Sequence, residues 1–230
     1  MSERVNVIPP SPNSMCVRVL VAAAGLSVEE VNVFMKTREP AYLEKCPGHV
    51  APSYEATDLP KGLIWESCAI MAYLCNRHGL ESFYPAEPGK RAHIDSANAF
   101  TISSFYPMLA RATYPVLGFP LYPGETQTSS ASDEIKAEAR AASEAATLEM
   151  LAIYKSFFIG EGGFIGGDKP SIADLRFASS LEFLSALSCE KPAWLGEYIT
   201  RMEEALGDAY KGPAGELRGT VQYLLSQAAS

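Results

Sequence analysis

A chain of 230 residues with 47% hydrophobic and 20% charged residues has the composition of a globular protein, sized for one large domain or two small ones. Its formal net charge of −8 argues against nucleic acid or an acidic membrane surface as the main partner. No apolar run approaches the roughly 18 residues of a membrane-spanning helix, and Met1-Ser2-Glu3-Arg4, leading into a short apolar run broken at Pro9-Pro10, does not read as a signal peptide.

Val5-Asn6-Val7-Ile8 is the first strand candidate. The prolines of Pro9-Pro10-Ser11-Pro12-Asn13-Ser14 predict an irregular segment. Met15 to Ala24 then reads as a helix closed by Gly25, because ten residues are long for a strand and Gly suits the position after a helix. Val28 to Phe34 alternates apolar and polar residues, as a second strand does, and strand–helix–strand implies a parallel pair. Residues 35–52 look irregular apart from a helical turn near Ala41–Lys45. Pro52–Ala56 and Gly62–Trp65, flanking Asp58-Leu59-Pro60-Lys61, read as a hairpin.

The stretch from Trp65 to Leu74 is a strand end, a turn and a helix start, with Cys68, Met71, Ala72 and Cys75 predicted on the buried face. Glu66 and Ser67 fall where a new helix exposes unpaired N–H groups, which attract a carboxylate or phosphate. An ordinary capped start gives the same pattern. The order βαβ–ββα makes an α/β domain over residues 1–80, and the Pro- and Gly-containing Gly79–Lys90 stretch places a linker at 81–90.

Residues 91–230 carry no strand pattern and read as all-α. Arg91 to Arg111 is apolar-periodic, with Ile94, Ala97, Phe105, Met108 and Leu109 as core candidates. Tyr114 to Ser132 reads as a long loop, Asp133 to Phe158 as an alanine-rich helix opened by Ser132-Asp133. After the Gly-rich 160–167 break, Ser171 and Asp174 form a close variant of a capping box, a folding element in preference to a catalytic pair. Residues 192–206 and 216–227 predict two further helices.

The five cysteines (Cys16, Cys46, Cys68, Cys75, Cys189) contain no CxxC pair, so neither a disulfide framework nor a zinc site is expected, and a reducing cytoplasm fits. His49, His78 and His93 do not cluster with cysteines or carboxylates at metal spacing.

Four stretches, in this order and spacing, carry a resemblance: Ser11-Pro12-Asn13-Ser14, Pro47-Gly48-His49-Val50-Ala51-Pro52, Glu66-Ser67-x-Ala69-Ile70 and Gly167-Asp168-x-Pro170-Ser171-Ile172-Ala173-Asp174. Over nearly its whole length the chain resembles the cytosolic glutathione transferases of serine type. The resemblance implies an N-terminal thioredoxin-like domain followed by a C-terminal helical bundle, glutathione as co-substrate without a metal, a cytoplasmic homodimer, and attack of the glutathione thiolate on a small hydrophobic electrophile. By position, Pro52 matches the family's cis-proline, with Val50 and Ala51 beside the cysteinyl backbone of glutathione. Glu66 and Ser67 match the residues that hold the γ-glutamyl group. His49 matches a histidine that reaches the glycyl carboxylate, or is an exposed loop residue.

A thiol is mostly protonated near neutral pH, so lowering its pKa by ~2 units requires ~2.7 kcal/mol of thiolate stabilisation. One or two hydrogen bonds to a charged sulfur, at ~1.5–3 kcal/mol each, suffice. The resemblance assigns this to Ser11, helped by Asn13, with Ser14 as the alternative. Ser11 stands where thiol-transfer branches of the family carry cysteine, which favours activation of glutathione itself. Phe105, Tyr106, Met108, Arg111 and Tyr114 are candidates for the electrophile pocket, or are helix-packing residues. The thiolate serves conjugation, lyase or ether cleavage, dehalogenation and isomerisation alike, and a non-catalytic binding or assembly module is the reading from another class.

Overall fold

The computed structural model describes residues 3–119 and 131–228. Four strands, β1 (Arg4–Val7), β2 (Glu29–Asn32), β3 (Ser53–Glu55) and β4 (Leu63–Trp65), form one sheet in the order β2-β1-β3-β4. The β1–β2 pair is parallel, joined through α1 (Pro12–Ala23), while β3 is antiparallel to β1 and to β4. This is the expected βαβ–ββα layer. Edge strand β2 is mostly exposed and carries Glu29, paired with Arg4 at 2.9 Å, the charged edge that resists pairing with another chain.

Helix α1 starts at Pro12, three residues before the predicted Met15. Proline is at home there: its ring presets helical φ, and its missing N–H is one that no helix start can pair internally. A short α2 (Pro40–Lys45) follows β2, and α3 (Ser67–His78) follows β4 and ends at Gly79 with φ 64°, a left-handed conformation that glycine adopts without penalty. The buried face of α3 is Ile70, Met71, Leu74 and Cys75. The predicted Cys68 and Ala72 are only half-buried, so the apolar stripe is rotated by about one residue.

The helical part begins at α4 (Pro88–Phe100), earlier than the predicted Arg91, because Glu87 accepts hydrogen bonds from Gly89 N (2.8 Å) and Lys90 N (2.6 Å) and so caps the helix. The preceding segment is pinned by Arg91, whose guanidinium stacks 4.2 Å from the Tyr84 ring centroid, and by Ile172 N donating to Phe83 O at 3.0 Å. Helix α4 runs through a π turn (Thr101–Phe105) into α5 (Tyr106–Leu117). Tyr106 N donates to Thr101 O, five residues back, and Pro107 has no N–H to restore the regular ladder. The predicted loop at 114–132 therefore starts later than Tyr114, since α5 continues to Leu117; its portion at 120–130 lies outside the described residues.

Helix α6 (Asp133–Ile153) opens, as expected, on Ser132, whose Oγ accepts from Ile135 N, and closes through a second π turn (Tyr154–Ile159). Then come α7 (Ile172–Leu181), α8 (Trp194–Leu206) and α9 (Asp208–Ala228); α9 begins eight residues before the predicted 216. The capping box at α7 forms as predicted. Helix α1 packs against α3 on one side and against α7 and α9 on the other, so the sheet layer and the helical part share one hydrophobic core.

Glu144 of α6 fixes the segment after α7. Its carboxylate accepts from Ser188 N (3.0 Å) and Ser188 Oγ (2.7 Å) and pairs with Arg140 at 3.0 Å. Burial pushes this carboxyl up, but the Ser188 donors and Arg140 hold it below its ordinary range. A carboxyl whose folded pKa lies below its unfolded value of about 4.3 adds stability above that pH and loses it as pH falls. The thermal midpoint of Glu144→Gln should therefore fall less steeply than that of the wild-type chain between about pH 6 and pH 3. Parallel melting curves for the two proteins across that range would refute it.

Candidate active site

Two helix starts meet at one cleft. Ser11 is the N-cap of α1, in extended conformation (φ −121°, ψ 129°), and its side chain makes no capping hydrogen bond. Glu66 is the N-cap of α3, also without a side-chain cap. The first N–H groups of both helices are thus left to other acceptors, and each start carries the positive end of a helix dipole. The starts of α4, α6 and α7 differ, because Glu87, Ser132 and Ser171 cap them. Glu66 has φ 73° and ψ 113°, a conformation that costs a non-glycine residue about 1–3 kcal/mol. It is maintained where the chain leaves β4 and turns into α3 with Ser67 buried at the first helical position.

Between these starts runs the loop from α2 to β3. Tyr42 Oη donates to Val50 O at 2.6 Å and lies 3.0 Å from Ser53 Oγ, which fixes the loop against the sheet. The Ala51–Pro52 peptide is cis, as the resemblance implies. Ala51 lies outside the β1–β3 ladder, which ends at the Asn6–Ser53 pair, so its backbone groups are placed beside the strand and not used by it. Asn13, Val50, Ala51, Pro52, Glu66 and Ser67 line the cleft on this side. Ile102, Tyr106, Pro107 and Arg176 line it on the helical side. Its volume of about 340 Å³ lies in the range of small-molecule sites.

Most of the expected peptide-binding residues therefore converge. Two expected residues do not line the cleft. His49 is exposed, with φ 45° and its N–H donated to Cys46 O, as a loop residue would be. Ser11 is half-buried at the start of α1, two residues before Asn13. Ser14, the alternative, does not line the cleft: it is fully buried and its Oγ accepts from Ile8 N at 3.0 Å, tying α1 to the end of β1.

The candidates for the second pocket divide sharply. Tyr106 lines the cleft, its hydroxyl 2.9 Å from that of Tyr114. Phe105 does not: it is 0% exposed and packs against the rings of both Tyr154 and Phe177, so it belongs to the core. Met108 and Arg111 contact each other on α5, and Tyr114 packs edge-on against Phe119 and Phe183; none of the three lines the cleft. Ile102, 45% exposed, lies four residues before Tyr106 and lines the cleft with it, the spacing that one helix face keeps and a signal the sequence reading passed over.

Burial disfavours the thiolate at four of the five cysteines. Burial pushes Cys16 and Cys75 up to about 12, and raises Cys68 and Cys189 as well. Cys16 is a core residue of α1, as expected, donating to Asn13 O at 3.2 Å. Among the described residues no group of three or more His, Cys, Asp or Glu side chains is placed to hold a metal ion.

A thioredoxin-like sheet whose α1 and α3 starts face one cleft, closed by helices from an all-α half, is the architecture of the cytosolic glutathione transferases. Residues 5–76 match the family model of the glutathione S-transferase N-terminal domain, and the described chain shares its fold with solved glutathione transferases over nearly its whole length. Glutathione S-transferase D6 of Drosophila melanogaster is 30% identical over 111 residues, 46% of this chain and 50% of that relative, so the alignment spans about half of its length. Among solved structures, glutathione transferase E6 of Drosophila melanogaster is 25% identical with a TM-score of 0.74, covering 99% of this chain and 96% of that one. Human glutathione transferase theta-2, solved in complex with glutathione, is 17% identical with a TM-score of 0.81, covering 98% of this chain and 91% of that one.

Proposed function

We propose that this chain is a glutathione transferase that binds glutathione extended across the cleft and delivers its thiolate to a small hydrophobic electrophile. The observation that carries this reading is the pairing of two uncapped helix starts with the free backbone of Ala51 between them. The γ-glutamyl carboxylate meets the start of α3 at Ser67, with Glu66 facing the γ-glutamyl amine. Ala51 pairs with the cysteinyl backbone as an added strand would. The sulfur then lies at the start of α1, where Asn13 and the Ser11 hydroxyl donate to it. Ile102, Tyr106 and Pro107 form the apolar wall against which the electrophile rests. A homodimer in the cytoplasm follows from the resemblance and belongs to the same proposal.

Retention on immobilised glutathione, followed by conjugation of a generic aryl halide, tests the reading. Ser67→Ala should weaken glutathione binding about tenfold, the loss of one hydrogen bond to a charged group. A wild-type chain that does not bind glutathione would overturn the proposal, and binding without turnover across an electrophile panel would reduce it to a binding module.

A further inference from the structure

Arg176 stands out among the cleft residues. It sits in the middle of α7 and is only 1% exposed, yet it forms part of the cleft wall. Its guanidinium lies 4.6 Å from the centroid of the Tyr106 ring, and one terminal nitrogen donates to Ser180 Oγ at 2.6 Å. The Nε atom is buried with no hydrogen-bond partner, and among the described residues no carboxylate lies within ion-pair distance of the side chain. An arginine does not shed its proton in a protein, so this is a permanent buried charge. Such a charge costs several kcal/mol unless an anion meets it. One cation–π contact and one neutral hydroxyl are weak compensation.

With glutathione in the cleft as proposed above, two of its groups are anionic. The carboxylate has the backbone donors of α3 at Ser67. The sulfur end is poorer in donors, because α1 begins with Pro12, which has no N–H, and the Ser14 hydroxyl is fully buried away from the cleft. We propose that Arg176 supplies the missing charge at the sulfur, holding glutathione as its thiolate from the helical side while Asn13 holds it from α1. The field of the guanidinium reaches both helix starts: burial pushes the Cys16 thiol in α1 and the Cys68 thiol in α3 up, and Arg176 pulls each of them back down. A thiol bound between those two positions lies in the same field without their burial. Tyr106, stacked on the guanidinium, orients the charge, so Arg176 acts on the bound nucleophile and Tyr106 acts through it.

The test is a titration of the bound thiol by its ultraviolet thiolate absorbance, with S-methylglutathione affinity measured alongside. The wild-type chain should show a bound-thiol pKa below that of free glutathione. In Arg176→Met, close in volume and uncharged, it should rise by about one unit or more, leaving about tenfold less thiolate at neutral pH. Conjugation should fall in proportion and recover at higher pH, while affinity for S-methylglutathione stays unchanged. Arg176→Lys, which keeps the charge, should retain most of the shift, and it carries the test if the methionine variant does not fold. An unshifted wild-type thiol, an unchanged pKa in Arg176→Met, or a Lys variant that behaves as though uncharged would each overturn the inference. An equal loss of S-methylglutathione binding would overturn it too, moving the charge to the carboxylate. Failure of the wild-type chain to bind glutathione at all is a separate result, which defeats the functional reading before any variant is made.

Discussion

Asp174→Ala is expected to cost about 3–5 kcal/mol of stability, the range for breaking a buried charged network. Both carboxylate oxygens are saturated. Oδ1 accepts from Ile165 N and Tyr198 Oη, each at 2.7 Å; Oδ2 accepts from Ser171 N (2.7 Å), Ser171 Oγ (2.8 Å) and Gly166 N (3.1 Å). Asp174 itself is 0% exposed, and of its partners Ile165, Ser171 and Tyr198 are buried while Gly166 reaches the surface. Alanine would strand the buried donors away from water, and each unsatisfied group costs about 1–3 kcal/mol before relaxation. The loop cannot relax freely. A side chain at Gly166 would meet Lys169 O at 2.5 Å and Ser171 Cβ at 3.0 Å, so the backbone is already in close contact with the helix start. Ser171→Ala, which removes a cap but leaves the carboxylate, should cost only about 1–2 kcal/mol. Urea unfolding of the two variants measures the difference. Asp174 does not line the cleft, so glutathione binding per folded molecule should stay near the wild-type value. A loss below about 1 kcal/mol for Asp174→Ala would show that the network is dispensable.

The second large effect falls on the sulfur. Asn13→Ala is expected to lower kcat/KM by about 10–100-fold, the cost of a hydrogen bond of ~1.5–3 kcal/mol to a charged group. Asn13 lines the cleft, and Ser11, the N-cap of α1 outside that lining, has a hydroxyl that caps nothing. Ser11→Ala should therefore also raise the bound-thiol pKa, but by no more than Asn13→Ala does. Ser14→Ala should behave differently, losing stability through Ile8 N without shifting the thiol. The pH dependence of kcat/KM separates the three, because a lost thiolate donor moves the profile to higher pH and a lost structural contact does not. An unmoved profile in both Ser11→Ala and Asn13→Ala would remove the start of α1 from the chemistry.

Much of this architecture was legible in the residues, for reasons that are local. The short, mostly apolar run Val5–Ile8 and the period-3.6 patterns around Met15–Ala24 and Cys68–Cys75 respond to burial against a single core, and the Ser171–Asp174 spacing is a capping pattern whatever surrounds it. Glu66-Ser67 was readable as a helix start with free donors, and the structure leaves those donors uncapped. What stayed hidden depends on tertiary context. The π turn at Thr101–Phe105 has no periodic signature, and the burial of Phe105 between α5 and its neighbours is set by packing and not by its spacing. Pro12 looked like a breaker because its neighbours are prolines and not because of its own position, which is a favoured one. Arg176, between Leu175 and Phe177, reads as a charged face of a surface helix; only the packing of α7 against α1 buries it.

That packing bears on how the molecule can be taken apart. Helix α1 presents its first turn to the cleft and its flank to α7 and α9, with Met15, Val17, Val19 and Leu20 all inaccessible to water. Cutting the chain at the segment before α4 would uncover that flank, so the sheet layer is not a portable glutathione-binding cassette. Chimeras that graft a relative's helical half onto this sheet would inherit a foreign surface under the very helix whose first turn lines the cleft. They should succeed only where the α1-facing side chains of α7 and α9 travel with their matching α1.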